Sequence, residues 1–289
     1  MNSTGANLAR ARIPRMKHIE KKHRIGLLVP SSNSTQEPEF VQMLPESVSL
    51  HVARLSLSRI DPDSTVSIVA ELEKESRKLA DAAVDIVVLA ATAPSTRLGK
   101  GYDAQLIRRM EEASARPATT AATAMLDAFA TLGVRRVALA AAWSEATNKW
   151  VAAFLESHGI EVLSQLAMGV VSNNEVGRLP PDAAFEHGRK ADCKDADAVF
   201  LACGNWWTAS IVESLERTVG KPVLTTNNMT LWHALRKIGV REGVPGFGRL
   251  LRDMPDLPGA LPADEFTAYV RNENERWAAA VKAAGIKAE

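Results

Sequence analysis

Cysteine is almost absent from this 289-residue chain, which has only Cys193 and Cys203. Two thiols so close in sequence build no disulfide framework, so both are read as free and the chain as cytoplasmic. Charge of one sign is lacking too: 35 Lys plus Arg against 34 Asp plus Glu leave a formal net charge of +1. Phosphate binding needs a concentrated basic surplus, so no nucleic-acid partner is expected. No apolar run approaches the roughly 18 residues of a membrane span, and the basic N-terminus precedes no apolar h-region. Neither a membrane nor secretion is implied. Zinc-type Cys or His spacings, a phosphate-cradling glycine loop ending in Lys-Ser/Thr and a Gly-x-Ser-x-Gly elbow are all missing. No metal and no cofactor follow from the residues.

Residues 99–104 match a dinucleotide fingerprint loosely, but they lie beyond their strand without an acidic partner and are read as a loop. His187 and His233 have no partner at useful spacing and are assigned no catalytic role. The one basic surplus, Arg10 to Arg24 with the single acid Glu20, reads as a solvated arm or a subunit-edge contact.

What the chain does have is 46% apolar and 24% charged residues, ordinary globular composition at a length that suits two lobes. Short apolar runs at 24–30, 85–91, 135–141, 197–203 and 222–225 read as buried strands. Helical periodicity falls between them, at 67–83, 104–113, 121–132, 147–158 and 230–238, with another helical pattern from Ser210. The alternation predicts an α/β fold of two pseudo-symmetric lobes, each a parallel sheet flanked by helices, with the site in the cleft between them. The chain divides on this reading into a basic arm (1–23), one lobe (24–119 plus 224–252), a second (120–223) and a C-terminal helical extension (253–289).

An internal echo supports duplication. Asp85, Val87, Leu89 and Ala90 match Asp197, Val199, Leu201 and Ala202, so Ala91 stands where Cys203 stands. Pro117, Thr119, Thr120 and Gly133 likewise match Pro222, Thr225, Thr226 and Gly239, with one residue inserted after the proline. Open parallel sheets bind ligands beyond the carboxyl ends of their strands. The exits here are small and polar: Ser31, Ser32 and Asn33; Thr92 and Ser95; Thr119 and Thr120; Gly204 and Asn205; Thr225, Thr226, Asn227 and Asn228. Each set alone reads as caps and turns; together they predict an anion pocket.

Cys203 ends a strand ahead of a helical pattern, where a dipole and free N–H groups would stabilise its thiolate for nucleophilic or proton-transfer work; an inert core cysteine is the alternative. Cys193, on an expected surface helix, is given no role. Trp143, Trp206 and Trp207 follow strands, and either wall off water around an ionised group or simply pack under loops.

At these residues the chain resembles the aspartate/glutamate racemase superfamily, in its maleate cis-trans isomerase and arylmalonate decarboxylase branch. Pro30, Ser31, Ser32 and Asn33 followed by Thr35 and Glu37 look like the isomerase substrate loop, and residues 173–178 look like the segment with its second substrate asparagine. Residues 133–140, 201–204 and 246–250 resemble the decarboxylase as well. The resemblance implies a cofactor-free, cysteine-dependent enzyme and a homo-oligomer acting on a small dicarboxylate. It places Cys203 as catalytic thiol and Ala91 at the first family cysteine, with Ser32, Asn33, Thr92, Ala93, Trp143, Asn173 and Gly204 around the substrate. Trp143 falls where relatives have a tyrosine, and can donate a hydrogen bond but not accept one. The two loops favour a maleate isomerase whose nucleophile position is Ala91. The single thiol favours the alternative, a malonate decarboxylase with Cys203 as proton donor. A non-catalytic dicarboxylate-binding protein is a third reading.

Overall fold

The structure, a computed structural model, describes residues 21–57, 59, 64 and 68–259. Most of the basic arm, and the C-terminal extension beyond residue 259, lie outside the described residues. The first half runs β1 (His23–Pro30), α1 (Gln36–Met43), β2 (Val48–Leu55), a 3₁₀ turn (Ile68–Glu71), α2 (Leu72–Asp81), β3 (Ile86–Leu89), α3 (Thr92–Thr96), α4 (Tyr102–Ser114), β4 (Ala118–Thr120) and α5 (Ala121–Thr131). The second runs β5 (Arg136–Ala141), α6 (Glu145–Ser157), β6 (Glu161–Ala167), α7 (Asn173–Val176), α8 (Pro181–Ala191), β7 (Ala198–Ala202), a 3₁₀ turn (Ala209–Ile211), α9 (Val212–Val219), β8 (Val223–Thr225), α10 (Thr226–Lys237) and α11 (Arg249–Asp253).

The strands form two parallel four-stranded sheets of the same order, β2-β1-β3-β4 and β6-β5-β7-β8, flanked by helices. The central strands β3 and β7 are fully buried, as their continuous apolar runs require. Their paired aspartates explain the echo. The Arg24 N–H donates to Asp85 Oδ2 (2.8 Å) and the Asp85 N–H returns a bond to Arg24 O (2.9 Å). Arg136 and Asp197 repeat both bonds at 2.9 and 2.8 Å. Each aspartate thus sets the register of its lobe's first strand against its third, and carries Ala91 and Cys203 to equivalent ends.

The second repeat needs a correction: the extra residue does not follow the proline but lies within the helix, which has 11 residues in α5 and 12 in α10. Thr120 caps α5 by accepting from Thr123 N–H, and Thr225 caps α10 by accepting from Asn228 N–H, so Thr120 pairs with Thr225 at the same distance from Pro117 and Pro222. These two helices cross over. Phe129 of α5 meets Phe200 of β7 edge-on (centroids 5.7 Å apart, planes at 82°), while α10 packs on α1 and β3, and α5 and α10 pack on each other. Each lobe is therefore covered by a helix that the other sheet launched, which holds the strand ends face to face.

Candidate active site

Both strand ends open on one cavity. Pro30, Asn33, Leu57 and the segment from Ala90 to Pro94 line it from the first half, and Trp143, Asn173, Cys203, Gly204 and Asn205 from the second. Of the residues expected from the sequence, Cys203, Ala91, Asn33, Thr92, Ala93, Trp143, Asn173 and Gly204 all meet here. Ser32 stands just behind them, accepting from Asn173 Nδ2 (2.8 Å) and donating to Leu57 O. Leu57 and Pro94 are apolar lining residues without a sequence signal of their own, whereas Ala90 belongs to the echoed strand and Asn205 to a strand exit already marked as polar.

Asn33 is held by its own helix. Its Oδ1 caps α1, accepting the N–H groups of Thr35 and Gln36 (3.0 and 2.9 Å), which turns the amide nitrogen away from the cap. Across the cavity, the Ser34 N–H donates to Asn205 Oδ1 (2.9 Å) and Asn205 Nδ2 donates to Asn173 O (2.6 Å). The two asparagine segments expected to grip carboxylates are thus tied together through Asn205. The Thr92 and Thr226 hydroxyls lie 3.0 Å apart, and Thr226 Oγ1 accepts from the Cys203 N–H (3.2 Å).

The environment of the thiol differs from the sequence expectation. No helix begins at Cys203: a turn follows it, and the next helical segment is the 3₁₀ turn at Ala209. The sulfur is buried, and burial pushes the thiol up to about 12, only partly countered by the Asn205 backbone N–H. It is a protonated S–H at neutral pH, not a stabilised thiolate. Because the unfolded chain ionises a cysteine near pH 8.5, this contribution to stability is complete below that pH and is lost as pH rises toward 12. Urea unfolding at pH 8 and pH 10 should show the wild type losing about 2 kcal/mol more than Cys203→Ala across that interval. Equal losses would contradict the buried, protonated thiol.

Cys193 also departs from expectation, and the tryptophans divide between their two readings. Cys193 lies in the turn after α8, half-buried, rather than on a helix, because α8 ends at Ala191. Trp206 and Trp207 do not line the cavity. Trp206 is buried against His187 (centroids 5.8 Å apart) and the Trp207 indole N–H donates to Gly177 O (3.0 Å), so the packing reading holds for both. Trp143 does line it, but its indole N–H donates to Asn148 Oδ1 (3.2 Å), leaving the ring as an apolar wall.

Outside the cavity, His233 has partners that only the fold supplies: Nδ1 pairs with Thr119 Oγ1 (3.0 Å) and Nε2 with Asp127 Oδ2 (2.8 Å). Thr119 and His233 are fully buried, so this line bolts β4, α5 and α10 together. Residues 99–101 are a loop, with positive φ at Gly99 and Gly101, but 102–104, expected as part of that loop, form the first turn of α4. Among the described residues no cluster of His, Cys, Asp and Glu could hold a metal ion, and no helix is long and apolar enough to cross a membrane.

Known proteins resemble this chain in sequence and in fold. The maleate isomerase of Nocardia farcinica is 30% identical over 243 residues, 79% of this chain and 95% of that protein. The arylmalonate decarboxylase of Bordetella bronchiseptica is 28% identical over 229 residues, 78% and 95% of the two chains. Among solved structures, the maleate isomerase Iso of Pseudomonas putida S16, in a cysteine-to-alanine form with maleate, superposes with a TM-score of 0.77 at 25% identity over 80% of this chain and 98% of its own. A cysteine-to-serine mutant of the Nocardia farcinica isomerase with a covalently bound succinylcysteine intermediate gives 0.75 at 29% identity, again over 80% and 98%. The sequence model of arylmalonate decarboxylase matches residues 25–251, and the chain belongs to that family.

Proposed function

We propose that the chain decarboxylates a small substituted malonate, with Cys203 as the proton donor. The observation that carries this reading is the lone, protonated thiol of Cys203 in a cavity whose equivalent position is the methyl group of Ala91. Asn33, Asn173 and the Thr92 hydroxyl supply hydrogen-bond partners for one carboxylate. Leu57, Ala93, Pro94 and the Trp143 ring make an apolar flank for the other. Apolar surroundings raise the free energy of a carboxylate relative to neutral CO₂, so the flank favours breaking the bond between the central carbon and that carboxyl. The electron pair of the broken bond stays with the substrate as an enediolate, stabilised by the donors. The Cys203 S–H then gives its proton to carbon, and water reprotonates the thiolate. No step draws on a cofactor.

Maleate isomerisation is the second reading, favoured by the joining of the Asn33 and Asn173 segments across the cavity through Asn205. It requires a nucleophile that adds to the double bond and leaves again. A protonated thiol is poorly suited to add, and Ala91 cannot.

Incubating the protein with phenylmalonate and, separately, maleate separates the readings. Release of CO₂, with one solvent deuteron at the α-carbon when the reaction runs in D₂O, is expected. Loss of maleate absorbance without CO₂ from any malonate would establish the isomerase instead, and binding without turnover of either would leave a carboxylate-binding protein.

A further inference from the structure

One buried carboxylate has no part in this chemistry. Glu39 on α1 is 1% exposed, and every group that reaches it is a donor. Its Oε1 accepts the N–H groups of Thr208 (2.5 Å) and Ala209 (2.7 Å), and its Oε2 accepts Asn227 Nδ2 (2.6 Å) and the Thr208 hydroxyl (3.3 Å). Burial pushes its pKa up, while these donors pull it back toward the ionised form that they need.

A carboxylate only accepts, so Asn227 must present its NH₂ to Glu39 and its oxygen elsewhere. That oxygen accepts from Gln36 Nε2 (2.9 Å), which leaves Gln36 Oε1 to accept from Asn33 Nδ2 (3.3 Å). The direction agrees with the other end of the chain, where Asn33 Oδ1 is occupied in capping α1. The second hydrogen of Asn33 Nδ2 remains for the cavity that Asn33 lines. A branch leads to the thiol. Asn227 Nδ2 also donates to Gly204 O (3.2 Å), and in a trans peptide the N–H lies opposite the C=O. That N–H belongs to Asn205, the backbone group that partly offsets the effect of burial on the Cys203 thiol. Gly204 has no side chain because a Cβ would lie 2.8 Å from Gln36 Nε2.

We propose that Glu39 is a positioning residue whose carboxylate sets the donor direction of the amide chain Asn227, Gln36 and Asn33, thereby turning an N–H of Asn33 onto the substrate carboxylate and holding the Gly204–Asn205 peptide against Cys203. The proposal rests on the dicarboxylate-pocket reading above and adds to it the residue that orients the pocket.

Glu39→Gln introduces an NH₂ among four donors and frustrates that direction. The side-chain amide resonances of Asn227, Gln36 and Asn33, followed by NMR without any ligand, should all shift in Glu39→Gln, and those of Asn33 should not move in the exposed control Glu186→Gln. Succinate, which can be neither decarboxylated nor isomerised here, serves as the binding probe in calorimetry. Its affinity should fall at least about 10-fold in Glu39→Gln, yet the same change in an Asn33→Ala background should have less than about a 2-fold further effect. Should Glu39→Gln not fold, Gln36→Met, which removes the middle link and leaves the bonds of Glu39 intact, must shift the Asn33 resonances and reproduce the lost affinity. Unmoved Asn33 resonances, or additive losses in the cycle, would overturn the proposal. Failure of the wild type to bind succinate would instead count against the dicarboxylate pocket, with the ligand-free resonances still deciding the role of Glu39.

Discussion

Cys203→Ala is expected to slow CO₂ release from a malonate substrate by about 10²- to 10⁴-fold, the range that a positioned general acid contributes. The drop should fall on kcat and leave succinate affinity within about 3-fold, because Asn33, Asn173 and Thr92 keep their partners and the sulfur acts only once the carbanion has formed. Cys203→Ser retains an O–H, but a weaker acid, and should fall between alanine and wild type. Unimpaired turnover in Cys203→Ala, read by trapping the CO₂ released, would remove the thiol from the mechanism.

The second large effect is a gain. Ala91 is the extended N-cap residue of α3 (φ −139°, ψ 102°) and lines the same cavity as Cys203, so a cysteine there needs no new backbone geometry and brings a sulfur to the position that the repeat makes equivalent. Ala91→Cys should confer maleate isomerisation at least about 100-fold above the unmodified chain, the lower end of what a positioned catalytic group supplies. The loss of maleate absorbance measures it. No gain, in a variant that still binds succinate, would mean that position 91 does not face the reacting double bond.

Which parts of this architecture were legible beforehand follows from how each segment is buried. The strands β1, β3, β5 and β7 carry continuous apolar runs because both faces of their sheets are covered. The edge strands β2 and β6 escaped notice. Val48–Leu55 and Glu161–Ala167 are largely half-buried or exposed and mix polar with apolar residues, so neither forms a run. Helix α1 is hidden for a different reason: Gln36 and Glu39 occupy its buried face, where an amphipathic pattern would have apolar residues. The site divides the same way. Ala91 and Cys203 were found through the echo because sequence repetition survives as spatial equivalence. Glu39 was not, since its partners Thr208, Ala209 and Asn227 lie 169, 170 and 188 positions away and only folding assembles them. Nor could residue order give the sign of the thiol's shift, which depends on how completely the halves exclude water.

The inequality between Ala91 and Cys203 has a stereochemical consequence for the proposed reaction. An enediolate is planar, and a carbon with three different remaining substituents becomes chiral on whichever side its hydrogen arrives. With sulfur on one side and methyl on the other, delivery is one-sided and the acid formed is a single enantiomer. The two halves of the fold repeat one another's strand order, and the handedness of the product comes from the side chain by which their equivalent strand ends differ.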